Sequence, residues 1–213
     1  MPTGLVWGAS GGIGAALVRE MKRRGWAAYG AARDESHVPS EADGVVSFDA
    51  DWPDTFRNAT FGVAQAVESL DLVVYAAGGM HPATLEKTEP TAWARVMAAN
   101  LSGAQWALTA SLPLLSPSAH LMMIGAYVDR ISLPRMGAYV AAKAGLEAWA
   151  TIFAKENRKH RVTLVRMPAV DTAFWRNVPF KLPAGALTPE QAANAVLDWH
   201  EGGQSGVLEI EHG

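Results

Sequence analysis

The sequence contains no cysteine. That excludes a disulfide framework and any thiolate chemistry. Charge is also sparse: Asp, Glu, Lys and Arg make up 18% of the 213 residues, and 18 basic against 21 acidic side chains leave a net charge of −3. A mildly acidic balance argues against a nucleic-acid groove and against a polybasic membrane patch. So low a charged fraction, with no low-complexity stretch, excludes intrinsic disorder. No apolar run approaches the ~18 residues of a membrane span. Met1-Pro2-Thr3 leads straight into an apolar strand-like run, unlike a secretory leader. These absences are compatible with the cytoplasm, the expected location. The histidines, His37, His81, His120, His160, His200 and His212, have no helical zinc-ligand spacing, so no metal site is expected. Repeats and linkers are lacking too, and residues 1–213 read as one domain.

What is present is an alternation. Apolar residues make up 49% of the chain. Short apolar runs at Leu5–Trp7, Ala27–Ala31, Val45–Phe48, Leu72–Ala76, Leu121–Ile124, Val162–Val165 and Val207–Ile210 read as strands. Helical patterns lie between them near 14–24, 53–69, 91–99, 101–115, 138–157 and 189–200. Thr188-Pro189-Glu190 opens the last helix with a hydroxyl cap and a first-turn proline. Continuous apolar strands separated by helices predict an α/β fold: a doubly wound, seven-stranded parallel sheet, Rossmann-like, with helices on both faces.

The first strand runs into Gly8-Ala9-Ser10-Gly11-Gly12-Ile13-Gly14 and then a helix. Glycines at 8, 12 and 14 allow a tight turn, close approach to a pyrophosphate and close helix–strand packing. The helix start offers N–H groups and a positive dipole end. The second strand ends in Ala32-Arg33-Asp34. An acid at that end usually binds a ribose 2′-OH, whereas an arginine accommodates a 2′-phosphate. Neutral Ala32 followed by Arg33 favours NADP(H), with NAD(H) as the lesser alternative. Asp49, at the end of the third strand, either accepts from an adenine amino group or caps the next turn.

Tyr139 and Lys143 are four residues apart and share a helix face. A phenol titrates near 10. A cation ~4 Å away at an effective dielectric of ~20 interacts by ~4 kcal/mol, enough to lower the phenol by up to ~3 units before desolvation offsets it. The pair therefore suits acid–base work.

Taken together, Gly8–Gly14, Asp49, Ala76-Ala77-Gly78, Asn100, Tyr139–Lys143 and Pro168–Thr172 resemble the short-chain dehydrogenase/reductase family over nearly the whole chain. The resemblance implies a nicotinamide cofactor and hydride transfer to or from a small carbonyl or imine substrate. It implies Tyr139 as general acid/base, Lys143 on the nicotinamide ribose, and Asn100 holding a water of the proton relay. Ser10, Gly11, Gly12, Ile13, Ala77, Gly78, Pro168, Val170 and Thr172 would border the cofactor, with Gly8 and Gly14 in the same loop. A homodimer or homotetramer is expected through the apolar helices 101–115 and 138–157, which pair across a two-fold axis in the family.

Four positions depart from the family pattern: Trp7, Ala76, Ala169 and, above all, Ala126. The last stands thirteen residues before Tyr139, where the family carries a serine that donates to the substrate oxygen. Losing such a donor typically costs ~2.7–4 kcal/mol. Tyr127 and Ser132 are the candidate substitutes. The quinonoid dihydropteridine reductase branch tolerates this gap, and Trp7, Ala77-Gly78-Gly79, Gly125-Ala126 and Arg176-Asn177 resemble it. A further alternative is a catalytically silent NADP-binding sensor or scaffold. The substrate pocket is expected near Met80, Ala126, Tyr127, Phe174 and Trp175, with Trp175 the one tryptophan near a ligand.

Overall fold

The fold is described from a computed structural model over residues 1–211; His212 lies outside the described residues. Seven strands form one parallel sheet: β1 (Thr3–Trp7), β2 (Ala27–Ala32), β3 (Gly44–Ser47), β4 (Leu70–Tyr75), β5 (Leu115–Ile124), β6 (Arg161–Arg166) and β7 (Gly206–Glu209). Their order is β3-β2-β1-β4-β5-β6-β7. Chain direction across the sheet reverses between β1 and β4, which pair in register Leu5 with Val73 and Val6 with Val74.

The helices are α1 (Gly12–Arg23), α2 (Asp54–Ala64), α3 (Pro90–Met97), α4 (Gly103–Ser111), α5 (Val128–Ile131), α6 (Gly137–Glu156) and α7 (Pro189–Glu201). Strand alternation divides the core in two. Val6, Val74 and Met122 pack with Leu17 and Met21 of α1 and with Val196 and Leu197 of α7. Leu5, Val73 and Leu121 face the other way, onto Phe56 of α2, Leu108 of α4 and Leu146 and Phe153 of α6. Both faces of the central strands are thus buried, as an uninterrupted apolar run requires. Each such side chain contributes about 1.5–3 kcal/mol on leaving water. Trp7 belongs to this second core, with Phe48 and Phe56 at ring-centroid distances of 5.2 and 5.3 Å.

Boundaries differ from the sequence expectation most in the middle of the chain, where β5 begins at Leu115 rather than at Leu121. The second helix stops at Ala64, because the chain must turn into β4, which begins at Leu70. The helix expected to reach 115 ends at Ser111. Pro113 cannot donate there, a short 3₁₀ turn follows, and β5 starts at Leu115. The patterns at 91–99 and 101–115 run on as one helix through a π turn, Ala98–Ser102. That turn frees the Ala99 carbonyl, which accepts from the Tyr75 hydroxyl at 2.7 Å. The last helix begins as expected, with a reciprocal cap between Thr188 and Gln191. Among the described residues no helix is long and apolar enough to cross a membrane.

At the amino-terminal rim of the sheet lies a histidine pair. His120 Nδ1 and His200 Nδ1 are 3.2 Å apart, and His120 Nε2 is 2.8 Å from Thr163 Oγ1. Arg161 donates to the His200 carbonyl at 2.8 Å. Burial, then the Arg161 charge, hold His120 down to about 3 and His200 to about 4, although Asp71 opposes this at His200. Unfolded histidine titrates near 6.5, so the folded state excludes protons that the unfolded state binds. The resulting stability is complete above pH ~6.5 and is lost as pH falls toward the folded values. Thermal melts from pH 7 down to pH 4 are expected to show a steep loss of Tm. His120→Gln should flatten that slope; an unchanged slope would assign it to carboxylates instead.

Candidate active site

The glycine loop is shaped by close backbone approach. Gly8 has φ +90°, and a Cβ there would lie 2.5 Å from the Ala77 nitrogen. A Cβ on Gly14 would lie 2.1 Å from the Gly8 carbonyl oxygen. Neither glycine borders the cavity at the carboxyl ends of the strands; they press the loop against β4 and α1. Ser10, Gly11, Gly12 and Ile13 do border it. Gly11 is the N-cap of α1, no side chain caps that end, and its first turn carries no acid. The positive dipole end of the helix is therefore unopposed beside the cavity.

Arg33 and Asp49 stand outside the cavity lining. Arg33 is exposed at the end of β2 and has no hydrogen bond or ion pair among the described residues. Its neighbour Asp34 is occupied: it accepts from the Ser36 N–H at 3.0 Å and the Ser36 hydroxyl at 2.6 Å, and faces His37 at 3.1 Å. Asp49 accepts from the Asp51 N–H at 3.0 Å, which is the turn-capping alternative.

Tyr139, Lys143 and Asn100 border one cavity. Lys143 is buried, donates to the Ile124 carbonyl at 2.8 Å, and lies 5.7 Å from the Tyr139 ring centroid. Asn100 sits in the π turn, where the extra residue turns its side chain inward. Its Nδ2 donates to the Gly79 and Val96 carbonyls at 2.7 and 2.8 Å. Its Oδ1 is buried with no hydrogen-bond partner. A Cβ on Gly78 would stand 2.8 Å from that oxygen and 4.0 Å from Lys143 Nζ, so a bare glycine lets the two groups share one space. Burial lowers Lys143 to about 8 and raises the Tyr139 phenol above its ordinary value. The expected lowering of the phenol by the lysine is not what this geometry yields: with the ammonium 5.7 Å from the ring centroid, desolvation wins.

The cavity measures about 520 Å³. Ala77, Gly78, Ala126, Pro168, Val170 and Thr172 line it as expected, and so do Tyr127, Phe174 and Trp175, the one tryptophan there. Trp175 Nε1 donates to the Val170 carbonyl at 2.9 Å, and Phe174 packs on Tyr139 at 5.4 Å. Met80 does not line it. Neither candidate replacement for the missing serine hydroxyl is available. Tyr127 donates to the Ile210 carbonyl at 3.0 Å, and exposed Ser132 to the Val128 carbonyl at 2.7 Å. Sequence reasoning missed Arg130, Phe180 and Lys181, which also line the cavity. Arg130 lies on the one-turn helix α5, and Phe180 and Lys181 lie in an irregular segment; neither is long enough for periodicity to signal which way a side chain faces.

The family model for short chain dehydrogenases matches residues 3–181. The chain belongs to the short-chain dehydrogenase/reductase family. Among curated relatives, the uncharacterized oxidoreductase YbbO of Escherichia coli is 28% identical over 183 residues, 82% of this chain and 68% of that protein. A D-beta-hydroxybutyrate dehydrogenase of Rhizobium meliloti is 24% identical, covering 92% of this chain and 82% of its own. Among solved structures, an alcohol dehydrogenase of the archaeon Thermococcus sibiricus, complexed with 5-hydroxy-NADP, superposes with a TM-score of 0.89 at 26% identity. That match covers 99% of this chain and 95% of the other.

This short-chain dehydrogenase/reductase is an NAD(P)-dependent oxidoreductase, and its own residues fit such a cofactor. The loop 8–14 is a cradle that side chains would fill, and the orphaned Asn100 oxygen awaits a donor beside Lys143. Gly11 allows a clean test. A Cβ there meets nothing nearer than the Gly8 carbonyl at 3.4 Å, so Gly11→Ala should fold with a Tm near wild type. Gly11 lines the cavity beside the start of α1, so the added methyl would crowd a pyrophosphate held there. The thermal stabilisation by NADPH, which follows RT ln(1 + [L]/Kd), should fall sharply. Undiminished stabilisation would place the nucleotide elsewhere.

Proposed function

We propose that this chain is an NADPH-dependent reductase of a small carbonyl or imine compound, with Tyr139 as the proton donor. The observation that carries this is the meeting of Lys143 and the unpartnered Asn100 oxygen at Gly78, in the same cavity that Tyr139 lines. The cofactor supplies the hydride. Tyr139, its phenol held protonated by burial, delivers the proton to the substrate heteroatom. Lys143, still charged below its pKa of about 8, offsets the negative charge left on the phenolate. Asn100, anchored through its amide nitrogen, presents Oδ1 as the acceptor of the relay. A silent sensor has no need of this trio.

Two features support NADP(H) over NAD(H). Asp34, the acid nearest the end of β2, is held by Ser36 and His37, while Arg33 has no partner among the described residues. The Thermococcus sibiricus relative was solved with an NADP derivative. Arg33→Ala should raise the Kd for NADPH tenfold or more, since a charge-assisted contact contributes about 1.5–3 kcal/mol, and leave that for NADH in place. Equal changes in both would make Arg33 an ordinary surface residue. Exposed Ile152 and half-buried Trp149 on α6 support pairing of copies through α4 and α6.

A second reading, reduction of a quinonoid pterin, is favoured by one observation: Ala126 has no hydroxyl, and Tyr127 and Ser132 are both engaged elsewhere. A conjugated C=N system develops no localised alkoxide that needs such a donor. Tyr139→Phe should lower kcat by about 10²–10⁴ on any substrate. The kcat/KM of the wild type should fall above pH about 8, as Lys143 loses its proton. Ala126→Ser should raise kcat/KM on simple ketones, by up to about 10²-fold, and change it little on a quinonoid pterin. Full activity of Tyr139→Phe would overturn the mechanism.

A further inference from the structure

The cavity wall is not neutral. Among the described residues, two cations besides Lys143 line it, Arg130 and Lys181, and no Asp or Glu does. Arg130 lies on α5, with its guanidinium carbon 4.1 Å from the centroid of the Tyr127 ring. That ring is a fixed platform: it is buried, and its hydroxyl is anchored on Ile210 at the end of β7. A cation stacked on an aromatic face is held in place without its donors being used. The Arg130 guanidinium makes no hydrogen bond or ion pair to any described residue; only the backbone N–H of Arg130 is engaged, on the Tyr127 carbonyl at 3.0 Å. Arg23, Arg24 and Arg166, by contrast, each bind a carboxylate, while Arg33 is, among the described residues, unpaired like Arg130 but lies outside the cavity. Glu209 and Glu211 act electrostatically on Tyr127, yet Glu209 is paired with Arg166 at 2.8 Å and neither borders the cavity.

The same cavity is also lined by the apolar side chains of Ile131, Leu133, Met136 and Phe180. An unpaired guanidinium beside an apolar cavity repels cationic ligands and leaves its donors for an anion. Its planar fork matches a carboxylate with two parallel hydrogen bonds. Lys181 adds positive potential in the same space.

We propose that Arg130 is a specificity-determining residue that binds a carboxylate of the substrate, remote from the group reduced, so that the substrate class is an apolar or aromatic carbonyl or imine acid. This inference rests on the reductase reading above and deepens it.

The test pairs binding with turnover on the full chain. The NADP-loaded protein is titrated calorimetrically with 4-(hydroxymethyl)benzoate and with its neutral methyl ester. NADPH oxidation is followed with 4-formylbenzoate and with its methyl ester. The acid is expected to bind at least tenfold tighter than the ester, with the same preference in kcat/KM. Arg130→Gln should collapse the binding ratio to within about threefold, and Arg130→Lys, which keeps the charge but loses the fork, should restore part of it. Equal binding of acid and ester by the wild type would overturn the proposal, as would an unchanged ratio in Arg130→Gln. Oxidation of NADPH by the ester as efficiently as by the acid would refute the carboxylate site and leave the reductase reading intact. Preferential binding of the acid, lost in Arg130→Gln but without oxidation of NADPH by either aldehyde, would uphold the site and refute reduction of a simple aromatic carbonyl.

Discussion

Everything at the carboxyl end of the sheet depends on the contact between Gly8 and the chain leaving β4. With φ +90° at Gly8 and the Ala77 nitrogen 2.5 Å from where a side chain would begin, the backbone passes flat against its neighbour. A left-handed residue with no Cβ lets β1 turn into α1 at that point. Gly14 completes the contact from the helix side, its missing Cβ 2.1 Å from the Gly8 carbonyl. The sheet order diverges between β1 and β4, which in open α/β folds is where a crevice forms. The glycine turn sets the mouth of that crevice, and the polar groups of the site are arranged around it.

Those polar groups are held by a second irregularity, the π turn at Ala98–Ser102. An extra residue in a helix leaves carbonyls without partners, which is unfavourable in a buried segment. Here the Tyr75 hydroxyl satisfies Ala99, and Asn100 Nδ2 satisfies Val96. The same shift carries Asn100 Oδ1 inward to Gly78 and Lys143. The distortion and the acceptor it presents are one feature, compensated by a tyrosine from the neighbouring strand.

Much of this was legible in the sequence, and the reason is periodicity. Seven apolar runs, the central ones buried on both faces, named all seven strands, and Thr188-Pro189 marked the start of α7 correctly. The Gly8–Gly14 loop and the Tyr139–Lys143 spacing led to residues that the fold does bring together. What escaped depends on contacts distant in sequence. The π turn is invisible because Ala98–Ser102 has the composition of ordinary helix. Tyr127 looked like a donor for substrate, but its partner is Ile210, eighty-three residues away. The lowering of the Tyr139 phenol was argued from a close cation, whereas the lysine is anchored on Ile124 and burial dominates. Arg130 carried no sequence signal, since its role depends on a tyrosine ring that the fold alone fixes in place.

The two buried shifts, taken together, bear on the direction of the proposed chemistry. Desolvation pushes Tyr139 up and Lys143 down, and both shifts favour uncharged forms. A neutral phenol is the form that can give a proton, so the resting site suits reduction. Once the proton has left, the phenolate gains from a nearby cation, and an ammonium with a pKa of about 8 is still charged at neutral pH. The charge pair therefore forms during the reaction rather than before it. That is where electrostatic stabilisation accelerates a step, because the ground state does not share it. With no hydroxyl at position 126, the substrate heteroatom depends on this one proton. A weakly acidic phenol passes it more readily to a basic nitrogen or a delocalised system than to a simple ketone oxygen. The absence of the serine and the raised phenol thus favour the same substrates, from independent physical causes.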